Sequence, residues 1–388
     1  MKSLIVFLSL CILSCAISLD CDPIDDLNTA QLIRKEGYPA EAHIVETEDG
    51  YLLTMHRIPG KSGSPAIILQ HGVLGSSADW VILGKGKALA YLLADAGYDV
   101  WLGNFRGSTY SRAHVNMTTC DHKFWNFSWH ESGIYDLPAM IDYVVGQKHH
   151  YLRAYIGFSM GTTAFYVMAS EKPFMTKYLQ SVYSLAPVVY MKHVQSPLKY
   201  FSSIATNFKE ISYLLGETEF LPQDHVVKYL SKTLCDLFRW EEKICANLMF
   251  IFTGFDETEF SYSLLPLILS HTPAGTSTKT MVHFAQEIQS GYFRQYDYGE
   301  IGNMLKYKSV SPPAYNLSQI TVPITLFCGS NDWLSSSEDV KRLVNELPHE
   351  PSIYNVPYDN FNHIDFLWAV DAPKLVYKKL LAMLSDGM

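Results

Sequence analysis

Tyr155-Ile-Gly-Phe-Ser-Met-Gly-Thr-Thr163 decides how the rest of the chain is read. It contains Gly157-Phe158-Ser159-Met160-Gly161, a G-x-S-x-G pattern. On a sharp strand-to-helix turn a serine takes strained backbone angles and its hydroxyl stands clear of the sheet. Glycines on both sides let strand and helix pass closely. The pattern alone also fits an ordinary glycine-flanked turn, so the flanks decide. Upstream, Tyr151 to Ile156 is short, aromatic and apolar, as a buried strand is. Downstream, Thr162 to Ser170 carries small and apolar residues at helical spacing, with no proline until Pro173. Strand, turn, helix is the context that an exposed nucleophilic serine requires.

Working outward, apolar runs of strand length recur at Pro65 to Gln70, Tyr98 to Leu102 and Ser181 to Leu185. Helical spacing falls between them, at Lys85 to Ala96 and Ser132 to Val145, with an earlier helix predicted at Leu27 to Lys35. His43 to Thr47 and Tyr51 to Ile58 read as strands around the turn Glu48-Asp49-Gly50. From about Val189 to Pro313 the alternation breaks into helix-like, aromatic sequence. Strands return at Ile324 to Cys328 and Ser352 to Val356, with helices at Ser337 to Asn345 and Ala372 to Met383. Alternating strands and helices predict an α/β class with a mostly parallel sheet covered on both faces, interrupted by a helical insertion. The expected organisation is a leader at 1–18, core at 19–188, insertion at 189–313 and core again at 314–388.

The 388 residues are 48% hydrophobic and 18% charged, ample for a large core. A formal charge of -9 and the lack of a basic run argue against nucleic acid as a partner. Lys2 followed by the apolar run Leu4 to Ile17, with small Ala16 and Ser18, reads as a secretory signal peptide cut near Ser18. No later stretch approaches a membrane span. Beyond the leader five of the seven cysteines remain: Cys21, Cys120, Cys235, Cys245 and Cys328. An odd number in an oxidising compartment leaves a free thiol or an intermolecular bond, and the pairing of Cys21 and Cys120 stays open. Asn116, Asn126 and Asn316 head N-glycosylation sequons.

A nucleophilic serine needs a base, and the base needs an acid to orient it. Asp332, in Gly329-Ser330-Asn331-Asp332-Trp333, directly follows the strand ending at Cys328. His363 follows the strand at Ser352 to Val356. The chain order serine, acid, histidine and the strand-end positions assign Ser159, Asp332 and His363 as a triad. Asp339 and Asp365 compete as the acid. His71 competes as the base, although it precedes the elbow. The tetrahedral intermediate of acyl transfer carries a negative oxygen, and two preformed N–H groups would stabilise it. One comes from Met160, after the nucleophile, and one from Val73 in His71-Gly72-Val73, with Leu74 the alternative. There is no H-E-x-x-H, no Cys-x-x-Cys and no glycine-rich phosphate loop after the first strand, so no metal or organic cofactor is expected.

Several stretches together resemble the acid lipases, the family of gastric and lysosomal acid lipase and their invertebrate relatives. They are Gly37 to Tyr51, L-Q-H-G-V-L-G-S-S-A-D-W (Leu69 to Trp80), Leu93 to Gly107, F-W-N-F-S-W-H-E (Phe124 to Glu131), S-H-T-P-A-G-T-S (Ser270 to Ser277) and N-H-I-D-F-L-W (Asn362 to Trp368). The resemblance covers nearly the whole mature chain, in order. It implies an α/β-hydrolase core with a helical cap and lid over the active site. It implies hydrolysis of lipid esters, triacylglycerols or sterol esters, at a lipid–water interface and often at acidic pH. The family's nucleophile, acid and base fall on Ser159, Asp332 and His363, and its oxyanion donors on Val73 and Met160. Its cap disulfide resembles Cys235 with Cys245, and its lid falls on Leu221 to Thr253. Two departures stand out, one in the elbow and one among the cysteines. Phe158 replaces the family's usual histidine before the serine, and Met160 stands where glutamine is common. Thr253 occupies the place of a further cysteine.

The reading is a secreted or lysosomal serine esterase that acts on lipid esters. One rival is an esterase of small soluble esters, and another is a lipid-binding or storage protein on a catalytically dead hydrolase fold.

Overall fold

A computed structural model describes residues 27–147, 150–200, 218–221 and 250–385. The leader, Cys21, Cys235, Cys245 and most of the Leu221 to Thr253 stretch lie outside the described residues.

The strands are β1 (Glu41–Glu46), β2 (Tyr51–Ile58), β3 (Ala66–Gln70), β4 (Asp99–Gly103), β5 (Ala113–His114), β6 (Leu152–Phe158) and β7 (Val182–Leu185). A two-residue pair, β8 (Glu219–Phe220) and β9 (Thr276–Ser277), follows, then β10 (Ile324–Cys328) and β11 (Ser352–Asn355). Nine of these make one sheet in the order β1-β2-β4-β3-β6-β7-β10-β11, with β5 paired to the start of β2. From β4 to β11 every pairing is parallel, whereas β1, β2 and β5 pair antiparallel. Every residue of β3, β4, β6 and β7 is buried, because helices cover both faces of a parallel sheet. Ile68, Trp101 and Tyr155 join one apolar cluster, while Ile67, Val100 and Ile156 join the other. That alternation is the period-2 pleat dividing the core between two faces.

The helices that matter below are α1 (Thr29–Lys35), α2 (Leu89–Asp95), α3 (Leu137–Gly146), α4 (Met160–Glu171), α5 (Leu265–His271), α6 (Thr278–Ser290), α7 (Gly299–Tyr307), α8 (Ser337–Glu346) and α9 (Lys378–Ser385). The helix predicted from Lys85 starts only at Leu89. Gly84 and Gly86 hold φ of 77° and 78°, a left-handed geometry that cannot continue a helix. The predicted helix at Ser132 opens with a widened π turn (Ser132–Asp136) before α3, and Pro373 opens a similar turn (Pro373–Tyr377) before α9.

Between β3 and β4 the chain moves to one side of β3, and with β6 it moves to the other. The crevice at the carboxyl end of β3 is therefore a topological switch point, where open α/β sheets place their sites. Gln70 at the end of β3 pairs in register with Gly157, so the loops after β3 and β6 emerge side by side. The turn after β4 is fixed beside them by Arg106. Its buried guanidinium bonds Asp136 at 2.7 Å and Asp49 at 2.6 Å, and lies 3.9 Å from the centre of the Tyr51 ring. Within the insertion, Ser277 caps α6 by accepting from Thr280 N–H. His283 of α6 stacks on Trp129 at 3.6 Å and bonds Ser128 Oγ at 2.9 Å. The Phe124 to Glu131 stretch thus packs against α6.

Candidate active site

Ser159 has φ 51° and ψ -118°, a strained geometry for a residue with a side chain. The surroundings impose it. A Cβ on Gly157 would lie 2.8 Å from the Gly161 carbonyl carbon, and a Cβ on Gly161 would lie 2.5 Å from the Gln70 carbonyl oxygen. Only glycines let β6, α4 and the end of β3 approach this closely. Ser159 N–H donates to Leu185 O in β7 at 3.1 Å, and the Thr162 hydroxyl donates to Ser159 O at 2.6 Å while accepting from Val188 N–H. The turn is held from three sides and the hydroxyl is left to face the loops.

His363 Nε2 lies 2.8 Å from Ser159 Oγ, and His363 Nδ1 lies 2.9 and 2.8 Å from the two carboxylate oxygens of Asp332. A carboxylate accepts only, so Nδ1 carries the ring proton and Nε2 is the acceptor for the serine hydroxyl. Asp332 Oδ1 also accepts from Leu334 N–H and Ser335 N–H at 2.9 and 2.8 Å, which aims the carboxylate. All three side chains are buried. They meet because β6, β7, β10 and β11 are consecutive in the parallel sheet, so the loops leave its same end.

The competing residues are engaged elsewhere. Asp339 bonds His193 and, with Ser336, caps α8. Asp365 accepts from Asn362 N–H. His71 donates from Nδ1 to Gly72 O at 2.7 Å and accepts at Nε2 from Phe105 N–H at 3.1 Å. Burial pushes its pKa down to about 4, so it is a neutral brace between the loops after β3 and β4.

Val73 stands in a turn closed by Gly75 N–H to Gly72 O at 3.2 Å, a bond that leaves its own N–H unused by the turn. Met160 is the first residue of α4, whose opening N–H groups have no partner within the helix. A Cβ on Gly72 would lie 3.0 Å from Ser159 Cβ, so the turn that carries Val73 begins in contact with the serine. Phe158 packs beside the turn, against Gly72, and its ring centre lies 5.0 Å from that of His363.

Sequence reasoning missed the segment after Thr253. Thr253 O accepts from both Trp333 N–H and His363 N–H. Asn362 Nδ2 donates to Gly254 O, and Asn331 Nδ2 donates to Phe255 O. Thr253 to Phe255 thereby tie the aspartate loop to the histidine loop. Its one legible signal is Gly254, whose φ of +109° and missing Cβ let Asn331 O approach. Asn116, Asn126 and Asn316 are exposed. Cys328 is a free thiol that burial, with Asp332 nearby, pushes up to about 12. Among the described residues no helix is long and apolar enough to cross a membrane.

Residues 29–84 match a family described as a partial alpha/beta-hydrolase lipase region, and residues 65–215 match the alpha/beta hydrolase fold. Lipase 3 of Drosophila melanogaster is 42% identical over 371 residues, 94% of each chain. The gastric triacylglycerol lipase of Homo sapiens is 38% identical across 93% of this chain and 91% of its own. Among solved structures, an acetylester hydrolase from Corynebacterium glutamicum superposes with a TM-score of 0.52 at 17% identity, covering 91% of this chain and 97% of that one, a likeness of fold.

Proposed function

The chain belongs to the acid lipase family of α/β-hydrolases and is a carboxylic ester hydrolase acting on lipid esters, and from that premise we propose that Ser159, His363 and Asp332 are its catalytic triad. The observation that carries this reading is the unbroken run of contacts from Asp332 through His363 to the hydroxyl of a strained Ser159.

In the first half-reaction Ser159 Oγ attacks the ester carbonyl carbon while its proton passes to His363 Nε2. The carbonyl π electrons move to oxygen, and the N–H groups of Val73 and Met160 donate to that oxyanion. Asp332 holds Nδ1–H and stabilises the imidazolium. The intermediate collapses, the C–O bond to the alcohol breaks, and the alkoxide takes the proton from Nε2. Water then attacks the acyl-enzyme with His363 again as base, releasing the fatty acid and restoring the serine. The step requires no metal or organic cofactor.

Triacylglycerols and sterol esters are the proposed substrates, met at a lipid–water interface. The insertion at 189–313 is proposed to cap the site, in keeping with the contacts of Thr253 and Gly254 to the histidine loop. Export through the leader at 1–18, to the extracellular space or the lysosome, and glycans at Asn116, Asn126 and Asn316 belong to the same reading. So does a Cys235–Cys245 disulfide, worth about 2–3 kcal/mol by chain-entropy arguments.

Ser159→Ala tests the assignment. The folded variant should lose ester hydrolysis by several orders of magnitude and lose covalent labelling by a fluorophosphonate, keeping only the small residual of binding and oxyanion stabilisation. Near-normal hydrolysis of a short-chain ester would sink the triad. A panel of triacylglycerols, cholesteryl esters and short soluble esters assigns the substrate.

A further inference from the structure

The Ser270 to Ser277 stretch takes no part in the triad, yet it lies against the turn that carries Val73. Leu74 in that turn has φ +60°, a left-handed conformation that costs any residue but glycine. Contacts from outside the turn must hold it. The Leu74 carbonyl accepts from Ala274 N–H at 2.7 Å. The Ala274 peptide is itself pinned, its carbonyl accepting from Thr109 Oγ1 at 3.2 Å. On the other flank Asp79 Oδ2 accepts from Ser76 N–H at 3.2 Å, and Asp79 Oδ1 faces the Thr272 hydroxyl at 3.5 Å. Asp79 is only 3% exposed. The space it fills exists because residue 75 is glycine: a Cβ there would lie 2.2 Å from Asp79 Oδ2. Among the described residues Asp79 makes no ion pair; its bond to Ser76 N–H closes a capping box on the short helix Ser77–Trp80, and its second oxygen is left to face Thr272, outside that helix.

We infer that Asp79, acting with Thr272, is a positioning residue for oxyanion stabilisation: it locks the Gly72–Gly75 turn to the Ser270 to Ser277 segment and so aims the Val73 N–H at the developing oxyanion. The inference rests on the reading of Val73 and Met160 as the donors. Preorganised donors act because they need no rearrangement as charge develops, so a brace that fixes one of them acts on the transition state and not on substrate binding. Burial pushes the Asp79 carboxyl up to about 7. Below neutrality it is largely the uncharged acid, and asparagine is its isostere.

The test uses Asp79→Ala, Asp79→Asn, Gly75→Ala and Thr272→Val in the full chain. Each is assayed with a soluble p-nitrophenyl butyrate and with butylboronic acid, whose tetrahedral serine adduct places an oxygen at the oxyanion position. Removing a donor outright costs about 10²–10³-fold, so misaiming one should cost Asp79→Ala and Gly75→Ala about 10- to 100-fold in kcat with KM little changed. The boronate inhibition constant should weaken by the same factor. Asp79→Asn should recover most of the loss, since its amide oxygen accepts from Ser76 N–H and its NH2 reaches the Thr272 hydroxyl. Thr272→Val, isosteric and at a partly buried position, should fold and show a smaller parallel loss in kcat and boronate affinity. Wild-type kcat and boronate affinity in folded Asp79→Ala would overturn the inference. So would a fall in kcat with the boronate constant unmoved, or no rescue by asparagine. If Asp79→Ala and Gly75→Ala do not fold, Thr272→Val decides by the same pair of measurements. Failure of the underlying reading shows separately, as a wild-type enzyme that the boronic acid does not inhibit.

Discussion

Gly161→Ala and Gly146→Ala make the same change, and the structure gives them opposite signs. A Cβ on Gly161 would lie 2.5 Å from Gln70 O and 3.1 Å from His71 O. Carbon–oxygen contacts settle at about 3.3–3.6 Å, so the end of β3 and the start of α4 must part by roughly 1 Å. Both neighbours are backbone, so no side chain can swing away. Overpacking of this kind costs about 1–3 kcal/mol of stability. The displaced segments carry Ser159 on one side and the Val73 turn on the other. A misplacement of about 1 Å at a reacting centre costs on the order of 10²-fold in rate. That factor corresponds to roughly 2.7 kcal/mol in the barrier. Gly146, the last residue of α3, has nothing within 4 Å of its would-be Cβ and no left-handed φ. There alanine should stabilise by about 0.4–1 kcal/mol, through the unfolded chain and helix propensity, with kcat unchanged. Urea unfolding and p-nitrophenyl butyrate turnover on both variants give the answer. A Gly161→Ala protein with wild-type stability and kcat within threefold of wild type would refute the claim that close backbone approach sets this turn.

Asp79 also predicts a dependence on pH. Its carboxyl titrates near 3.8 when free and is pushed to about 7 in the fold, so between those values the folded state keeps a proton that the unfolded chain has released. Its contribution to stability therefore falls as pH rises from about 4 to about 7 and is level beyond. Asp79→Asn should gain on the wild type across that window by a few kcal/mol at most, read from unfolding at pH 4.5 and 7.5, and a constant difference would contradict the assignment. Phe158→His should change the rate on a given ester by no more than about tenfold, because the ring packs against Gly72 and His363 without bonding the reacting atoms. An inert natural protein switched on by histidine would overturn this. Cys328, with a thiol held near 12, should resist iodoacetamide in the native protein and react once it is unfolded, as peptide mass spectrometry will read.

The α/β class was legible in the sequence because the central strands are buried on both faces whereas helices such as α8 bury one, which writes different patterns into the chain; α4, buried nearly all round, is the exception. Predicted strands at 324–328 and 51–58 coincide with β10 and β2, and the predicted acid loop and base loop do meet at Ser159. That was readable because strand-end placement and chain order constrain which side chains a parallel sheet can gather. Phe158, Met160 and Val73 could likewise be numbered from the motif. Tertiary structure alone decided the rest. Which of Asp332 and Asp339 meets His363 depends on which carboxylate the sheet delivers there, and the place of His71 between two loops depends on Phe105, 34 residues away in the chain. The same holds for the bonds to Thr253 from Trp333 and His363 and from Ala274 to Leu74. Periodicity reports which face of an element is buried. It carries no record of which distant backbone N–H will meet which carbonyl, because those pairings are selected by packing only after the elements have formed.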